Sequence, residues 1–278
     1  MYPSLSTRRR ILLSLLILGG KSTYSTIKSF LPIGYSGPKF YAMLRRLERE
    51  RLVHRSLSAD HPSLSLLPAG FELLERRLGP RIRTVLAPQG QSLSDNWSLI
   101  ILNFPTDQAY SRSRLAGRLL ELGCGSLRDG VYVNPYPILD SVAQWAEENH
   151  CFDRIFISSL SPYPLALIPC SAAWDLPGLA RAYLSFLDRL TIAKGISLPQ
   201  KRDRAITRIK SDFLDLLIRD PLLPTTLLPA DYPLARVISG ITNLDKDISP
   251  DEINIDNFFA KKSTGIAPET PSAKSKKS

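Results

Sequence analysis

The sequence predicts a mixed α+β chain built from three successive units, and three observations carry that reading. Helical hydrophobic spacing over the first third runs into two short strand patterns; strand and helix patterns then alternate; from Ser171 onward the pattern is helical. At 278 residues the chain is long enough for such a division and for a substantial core.

In the first unit, Leu5, Leu12, Leu15 and Leu16 recur at helical spacing, with Ser6 or Thr7 placed to cap the helix and Gly19-Gly20 to stop it. A second helix is expected from Ser22 to Phe30, ending before Leu31-Pro32. The third lies in SGPKFYAMLRRLERERLVHR, residues 36–55. There Ser36 can cap, Pro38 is tolerated in the first turn, and Phe40, Met43, Leu44 and Leu47 make one apolar face. Lys39, Arg45, Arg46 and Arg49 occupy the opposite side. Val53 to Leu57 and Leu64 to Leu67 are expected to pair as strands around Ala59-Asp60-His61-Pro62, and a helix from Ala69 to Leu78 closes the unit. Three helices, a two-stranded wing and a following helix are the order of a winged helix-turn-helix, whose third helix enters the major groove and whose wing lies on the backbone or in the minor groove.

A linker rich in small and polar residues, Ala87 to Asp95, leads to the second unit. Trp97 to Phe104 is an apolar strand run, Ser113 to Leu122 an amphipathic helix ending at Gly123, and Ser126 to Arg128 with Val131 to Asn134 a hairpin about Asp129-Gly130. A helix from Ile138 to His150 and a strand from Arg154 to Ser159 complete the order βαββαβ, that of a ferredoxin-like unit. Helices are then expected over Leu176 to Ala193, Leu198 to Ile218 and up to about Leu244, the last two separated by a proline-punctuated stretch, DPLLPTTLLPADYP (Asp220 to Pro233). The expected division is 1–88, 89–170, 171–244, and a tail 245–278 that turns acidic and then lysine-rich, disordered from about 261.

The net charge of +10 is unevenly placed. Residues 1–90 hold 15 Lys and Arg against 5 Asp and Glu, and the remainder holds 21 of each. A basic unit on an otherwise neutral chain fits a polyanionic partner, because lysines and arginines bind phosphates while releasing counterions. Cys124, Cys151 and Cys170 form no C-x-x-C pair and suggest neither disulfides nor zinc, so they are expected to be buried, reduced cytoplasmic thiols. Two features mislead. Arg8 to Arg10 before Ile11 to Leu18 resembles the start of a signal peptide, but the run is short and no A-x-A-like site follows. Gly19 to Thr23 (GGKST) ends like a phosphate-binding P-loop, yet Leu15 stands where the first glycine of that motif belongs. No stretch approaches the length of a membrane span.

The C-terminal third resembles the PaaX family, the bacterial phenylacetic-acid-degradation repressors. The resemblance is carried by Arg219-Asp220-Pro221, Leu223-Pro224, Leu227-Leu228-Pro229, Asp231-Tyr232-Pro233 and Ala235-Arg236. Trp174-Asp175-Leu176, the hairpin Gly130-Val131-Tyr132-Val133-Asn134-Pro135 and the helix bearing Arg112, Arg114 and Arg118 add to it, so that it spans about residues 5–244. Tyr232 stands where the family usually has Trp and Leu234 where it usually has Gly, which marks a divergent member. The resemblance implies a dimeric DNA-binding repressor of a double-stranded operator, released by an aromatic acyl-CoA effector, with no resident cofactor or metal. The central unit also resembles the Cas2 nuclease fold, which places an aspartate at the end of its first strand to hold Mg²⁺. Here that strand ends Leu102-Asn103-Phe104-Pro105, and a neutral amide is a poor anchor for a hard cation. Asp107 beyond it reads as a helix cap. A nuclease and a basic membrane-associated adaptor are therefore the alternatives to a regulator, and no catalytic group is assigned.

The candidate DNA contacts are Ser36, Lys39, Tyr41, Arg45, Arg46 and Arg49 on the third helix, with Arg55 and His61 on the wing, since arginine forks pair with guanine edges and phosphates. An acyl-CoA needs cations for its phosphates and an apolar slot for its acyl group. Arg112, Arg114 and Arg118, or else Arg202, Arg204 and Arg208, would supply the first; Trp174, Tyr183 and Phe186 would line the second.

Overall fold

The structure, a computed structural model, describes residues 5–56, 62–86, 96–160 and 170–245. Ser6 accepts a hydrogen bond from the Arg9 N–H at 3.5 Å and starts α1 (Thr7–Ile17). Every residue from Arg10 to Ile17 is buried, so the apolar run after the arginines is the central helix of its unit, covered on all sides. Gly19 and Gly20, both at positive φ (77° and 91°), turn the chain into β1 (Lys21–Thr23).

That strand differs from the expected helix beginning at Ser22. Lys21 to Thr23 pair antiparallel with β3 (Ser63–Leu66), and Thr23 instead caps the shorter α2 (Tyr24–Lys28), accepting from Thr26 N–H at 3.3 Å. A three-residue strand whose partner lies some forty positions on leaves no periodicity to read. Helix α3 (Gly37–Arg49) and β2 (Val53–Ser56) fall where expected, and the sheet order is β1-β3-β2. Helices α4 (Pro68–Leu78) and α5 (Arg83–Leu86) follow. This element and strand order is compatible with the expected winged helix-turn-helix.

The central unit is β4 (Trp97–Leu102), α6 (Ala109–Glu121), β5 (Gly125–Arg128), β6 (Val131–Asn134), α7 (Leu139–Glu148) and β7 (Ile155–Leu160). Its antiparallel sheet has the order β5-β6-β4-β7, the ferredoxin-like arrangement predicted from βαββαβ. Ile100, Leu102 and Tyr132 from the sheet pack with Leu115, Leu119 and Val142 from the two helices in a core of their own. The C-terminal unit is helical: α8 (Cys170–Ala173), α9 (Leu176–Lys194), α10 (Pro199–Leu217) and α11 (Leu234–Thr242). A second core runs without a break from α1 and α3 through Trp97, Val133 and Trp174 into Tyr183, Phe213 and Ile241. Cys124 and Cys151 are buried as expected; Cys170, at the start of a one-turn helix, is only half-buried.

Polar side chains lock these units together. Arg81, 1% exposed, donates from Nε to Leu78 O (2.9 Å), from Nη2 to Glu121 O (2.8 Å) and Ile218 O (2.9 Å), and from Nη1 to Asp220 O. One guanidinium thus binds carbonyls from all three units. Gly123 (φ 87°) runs so close that a Cβ there would overlap the Arg81 side chain. Nearby, Tyr136 Oη lies 2.9 Å from Thr84 Oγ1 and donates to Leu222 O at 2.5 Å. Leu222 has a positive φ of 50°, and its N–H donates to Asp220 Oδ1 at 2.7 Å, so the strained residue is held from both sides.

The arginine triplet acts in the same way. Arg8 pairs with Glu50 (2.7 Å) in the first unit, Arg9 with Glu121 (3.8 Å) in the second, and Arg10 with Asp215 (2.6 Å) in the third, where it also donates to Ser211 O at 3.0 Å. Arg81→Ala is expected to lower the unfolding free energy by about 3–5 kcal/mol, because it strands several buried carbonyls at a cost of about 1–3 kcal/mol each. Arg81→Lys should not restore it, since a single ammonium cannot span carbonyls from three units. Urea unfolding of the two variants against the parent checks this.

Candidate nucleic-acid interface

Helix α3 presents two faces. Phe40, Leu44 and Leu47 are fully buried, and Phe40 meets the Tyr24 ring edge-on at 6.4 Å, which fixes the helix against α2. Pro38 sits in the first turn, while the Ser36 hydroxyl makes no capping bond and stays exposed. On the outer arc Lys39, Tyr41, Arg45, Arg46 and Arg49 are all exposed, Tyr41 at 50% with its ring tilted against that of Phe40 at 5.6 Å. The expected division of the helix into an inner apolar face and an outer basic one is present.

The cations on that arc are not equivalent. Arg46 Nε donates to Glu50 Oε1 at 2.9 Å, and Glu50 Oε2 also takes Arg8 at 2.7 Å. Arg55 Nε donates to Glu48 Oε2 at 2.5 Å, tying β2 to α3. Lys39, Arg45 and Arg49 pair with no carboxylate among the described residues. They are the cations most available to an incoming phosphate or base, on a helix that Glu48 ties to β2. His54 on β2 is exposed, and His61 lies outside the described residues.

The candidate effector residues are not gathered at one place. Arg112 pairs with Asp129 at 2.5 Å and so holds the β5–β6 turn. Arg114 donates to Asn149 Oδ1 at 3.0 Å and lies 5.8 Å from the ring centres of Tyr110 and Trp145. Arg118 donates to Arg77 O (2.5 Å) and Arg76 O (2.6 Å) in the last turn of α4, where a cation complements the helix dipole. Trp174 is buried against Trp97, its indole N–H donating to Gly123 O at 3.0 Å. Tyr183 is fully buried among Phe213 and Tyr232, and burial pushes its hydroxyl pKa well up. From the alternative triplet, Arg204 lines a cleft between α2 and α10.

Asn103 follows β4, is exposed, and its N–H donates to Arg154 O at 2.8 Å. Asp107 lies in a 3₁₀ turn before α6 and makes no side-chain cap. Among the described residues no group of three or more His, Cys, Asp and Glu could hold a metal, and no helix is long and apolar enough to cross a membrane. The groups that sequence reasoning missed are Arg8 to Arg10, Arg81 and Lys210. All act over separations of more than forty positions, for which a single sequence carries no mark.

A mixed α+β fold, with a helix that is basic on its outer face, a small three-stranded sheet and a ferredoxin-like centre, is the class defined by the geometry. Residues 90–162 match the family model described as the PaaX protein central Cas2-like domain, so the resemblance to PaaX proteins is borne out, and borne out on the Cas2-like centre. An uncharacterized protein, Rv0674 from Mycobacterium tuberculosis, is similar in structure with a TM-score of 0.50 and 21% identity, over 84% of this chain and 92% of that one. At that identity the likeness is one of fold. No curated protein matches the chain.

The ion pairs give a pH dependence. Hydrogen bonding from Arg46, with the Arg8 charge beside it, holds the Glu50 carboxyl below the usual 4.5. A carboxyl with a lowered folded-state pKa contributes stability above its unfolded value and loses it as pH falls through the lowered one. The small stability deficit of Glu50→Gln, read from urea unfolding, should be present at about pH 6 and shrink as pH falls below 4.5.

Proposed function

We propose that the chain is a PaaX-type transcriptional regulator that binds duplex DNA through α3. The observation that carries this reading is the outer arc of α3, where Lys39, Arg45 and Arg49 are exposed and make no salt bridge among the described residues. The match of the centre to the PaaX model supports it. Arg46, Tyr41 and Ser36 flank the arc and complete the contact surface, with Arg55 on β2 as a phosphate contact; the same role is proposed for His61, which lies outside the described residues. A homodimer on a pseudo-palindromic operator fits the symmetry such readers use. Repression relieved by a small acyl-CoA effector is the mode that the family resemblance implies, and Tyr232 and Leu234 are where this chain departs from it. A cytoplasmic, non-enzymatic role goes with that reading.

The test uses a duplex selected from a random-sequence pool on the purified full chain. Arg45→Ala and Arg49→Ala should each weaken binding by about 1–3 kcal/mol if they read bases, or lower the salt slope by about 1 if they hold phosphates. Arg46→Ala should cost less, because Arg46 already pairs with Glu50. Fluorescence anisotropy at several salt concentrations measures both quantities. Unchanged affinity and slope in the Arg45/Arg49 double variant would rule out α3 as the reader.

A further inference from the structure

A cleft of about 560 Å³ opens between α2, with the turn that follows it, and α10 of the C-terminal unit. Its size falls within the range of small-molecule sites. Three cations, Lys28, Arg204 and Lys210, face a single acid, Asp203, along its lining. Lys210 is 2% exposed: its ammonium donates to Ser29 Oγ at 3.1 Å and lies 5.1 Å from the centre of the Phe30 ring. Ser29 Oγ in turn donates to Thr26 O at 2.6 Å, so this wall is a fixed polar network. Lys28 and Arg204 are exposed at the mouth and pair with no carboxylate among the described residues. Ile33, Tyr35, Ile206 and Leu244 supply the apolar part of the lining, beside the hydroxyl-bearing Ser25, Thr26 and Thr207.

A cleft with a positive mouth, a buried cation at its wall and a part-apolar lining suits a ligand that is anionic at one end and apolar at the other. We infer that it binds a small amphipathic anion, a phosphate or carboxylate on an apolar body, which bridges the first and third units. The turn holding Ile33 and Tyr35 leads directly into α3, so an occupant would set the angle of the proposed reading helix. That regulatory consequence rests on the proposed function; the binding itself does not.

Calorimetry on the full chain tests the site with phenyl phosphate and with benzoate, which separate the two anion types, and with inorganic phosphate and phenol as the two halves. Saturable binding of phenyl phosphate or benzoate, at least about tenfold tighter than either half, is expected. Lys28→Gln and Arg204→Gln should each weaken it by about tenfold at an unchanged melting temperature, while Lys201→Gln, on α10 but outside the cleft, should leave it intact. No saturable binding of either anion, full retention in both cleft variants, or phenol binding as tightly as its phosphate would each overturn the assignment. The calorimetry contains no DNA, so failure of α3 as the reader does not register in it. Duplex affinity unaltered by saturating anion would overturn the coupling to α3.

Discussion

A buried guanidinium must be surrounded by acceptors, and that requirement at Arg81 shapes the whole molecule. Its fork collects carbonyls from the end of α4, from the end of α6 and from the turn after α10. Those three chain segments must therefore converge. Gly123 has to lack a side chain to let the fork pass, and the Asp220 turn has to curl inward to present its carbonyl. The curl is stabilised by its own bonds: Tyr232 Oη donates to Asp220 Oδ2 at 2.7 Å, and Leu222 N–H to Oδ1. Burial raises the Asp220 carboxyl pKa against the pull of these donors.

Around that point the basic residues of the first unit divide into two populations. Arg9, Arg10, Arg77 and Arg81 reach acids or carbonyls of the other two units. Glu121, 6% exposed, lies against Arg9, Arg77 and Arg118 together. The charge excess counted along the sequence thus overstates what is open to a polyanion, because several of the cations are internal ties. Among the cations that stay exposed, Lys39, Arg45 and Arg49 share one arc of α3 and make no salt bridge among the described residues.

How far the sequence could be read follows from the range of each determinant. Helix α3 was legible because Phe40, Leu44 and Leu47 repeat at helical spacing, and the βαββαβ order because each strand run is closed by its own Gly or Pro. Strand β1 was not, since Lys21 to Thr23 become a strand only against β3. The same holds within the candidate site. Arg45 and Arg46 are neighbours of identical type, and only the Arg8–Glu50–Arg46 chain separates a free cation from a paired one. Lys210 looks like one more polar position on a long helix until the docking of α2 buries it beneath Ser29 and Phe30. Trp174 and Tyr183, by contrast, have the composition of a ligand slot and the positions of core residues.

The Arg8-Arg9-Arg10 triplet has a consequence for how the molecule responds to its solvent. Consecutive residues on a helix point about 100° apart, so three adjacent arginines on one turn clamp three units at once. Asp215 is 45% exposed in its pair with Arg10, within reach of mobile ions. Rising ionic strength would therefore loosen the grip between units at the same time as it competes with any bound polyanion. The number of counterions inferred from such a titration would then include some released by the protein's own joints.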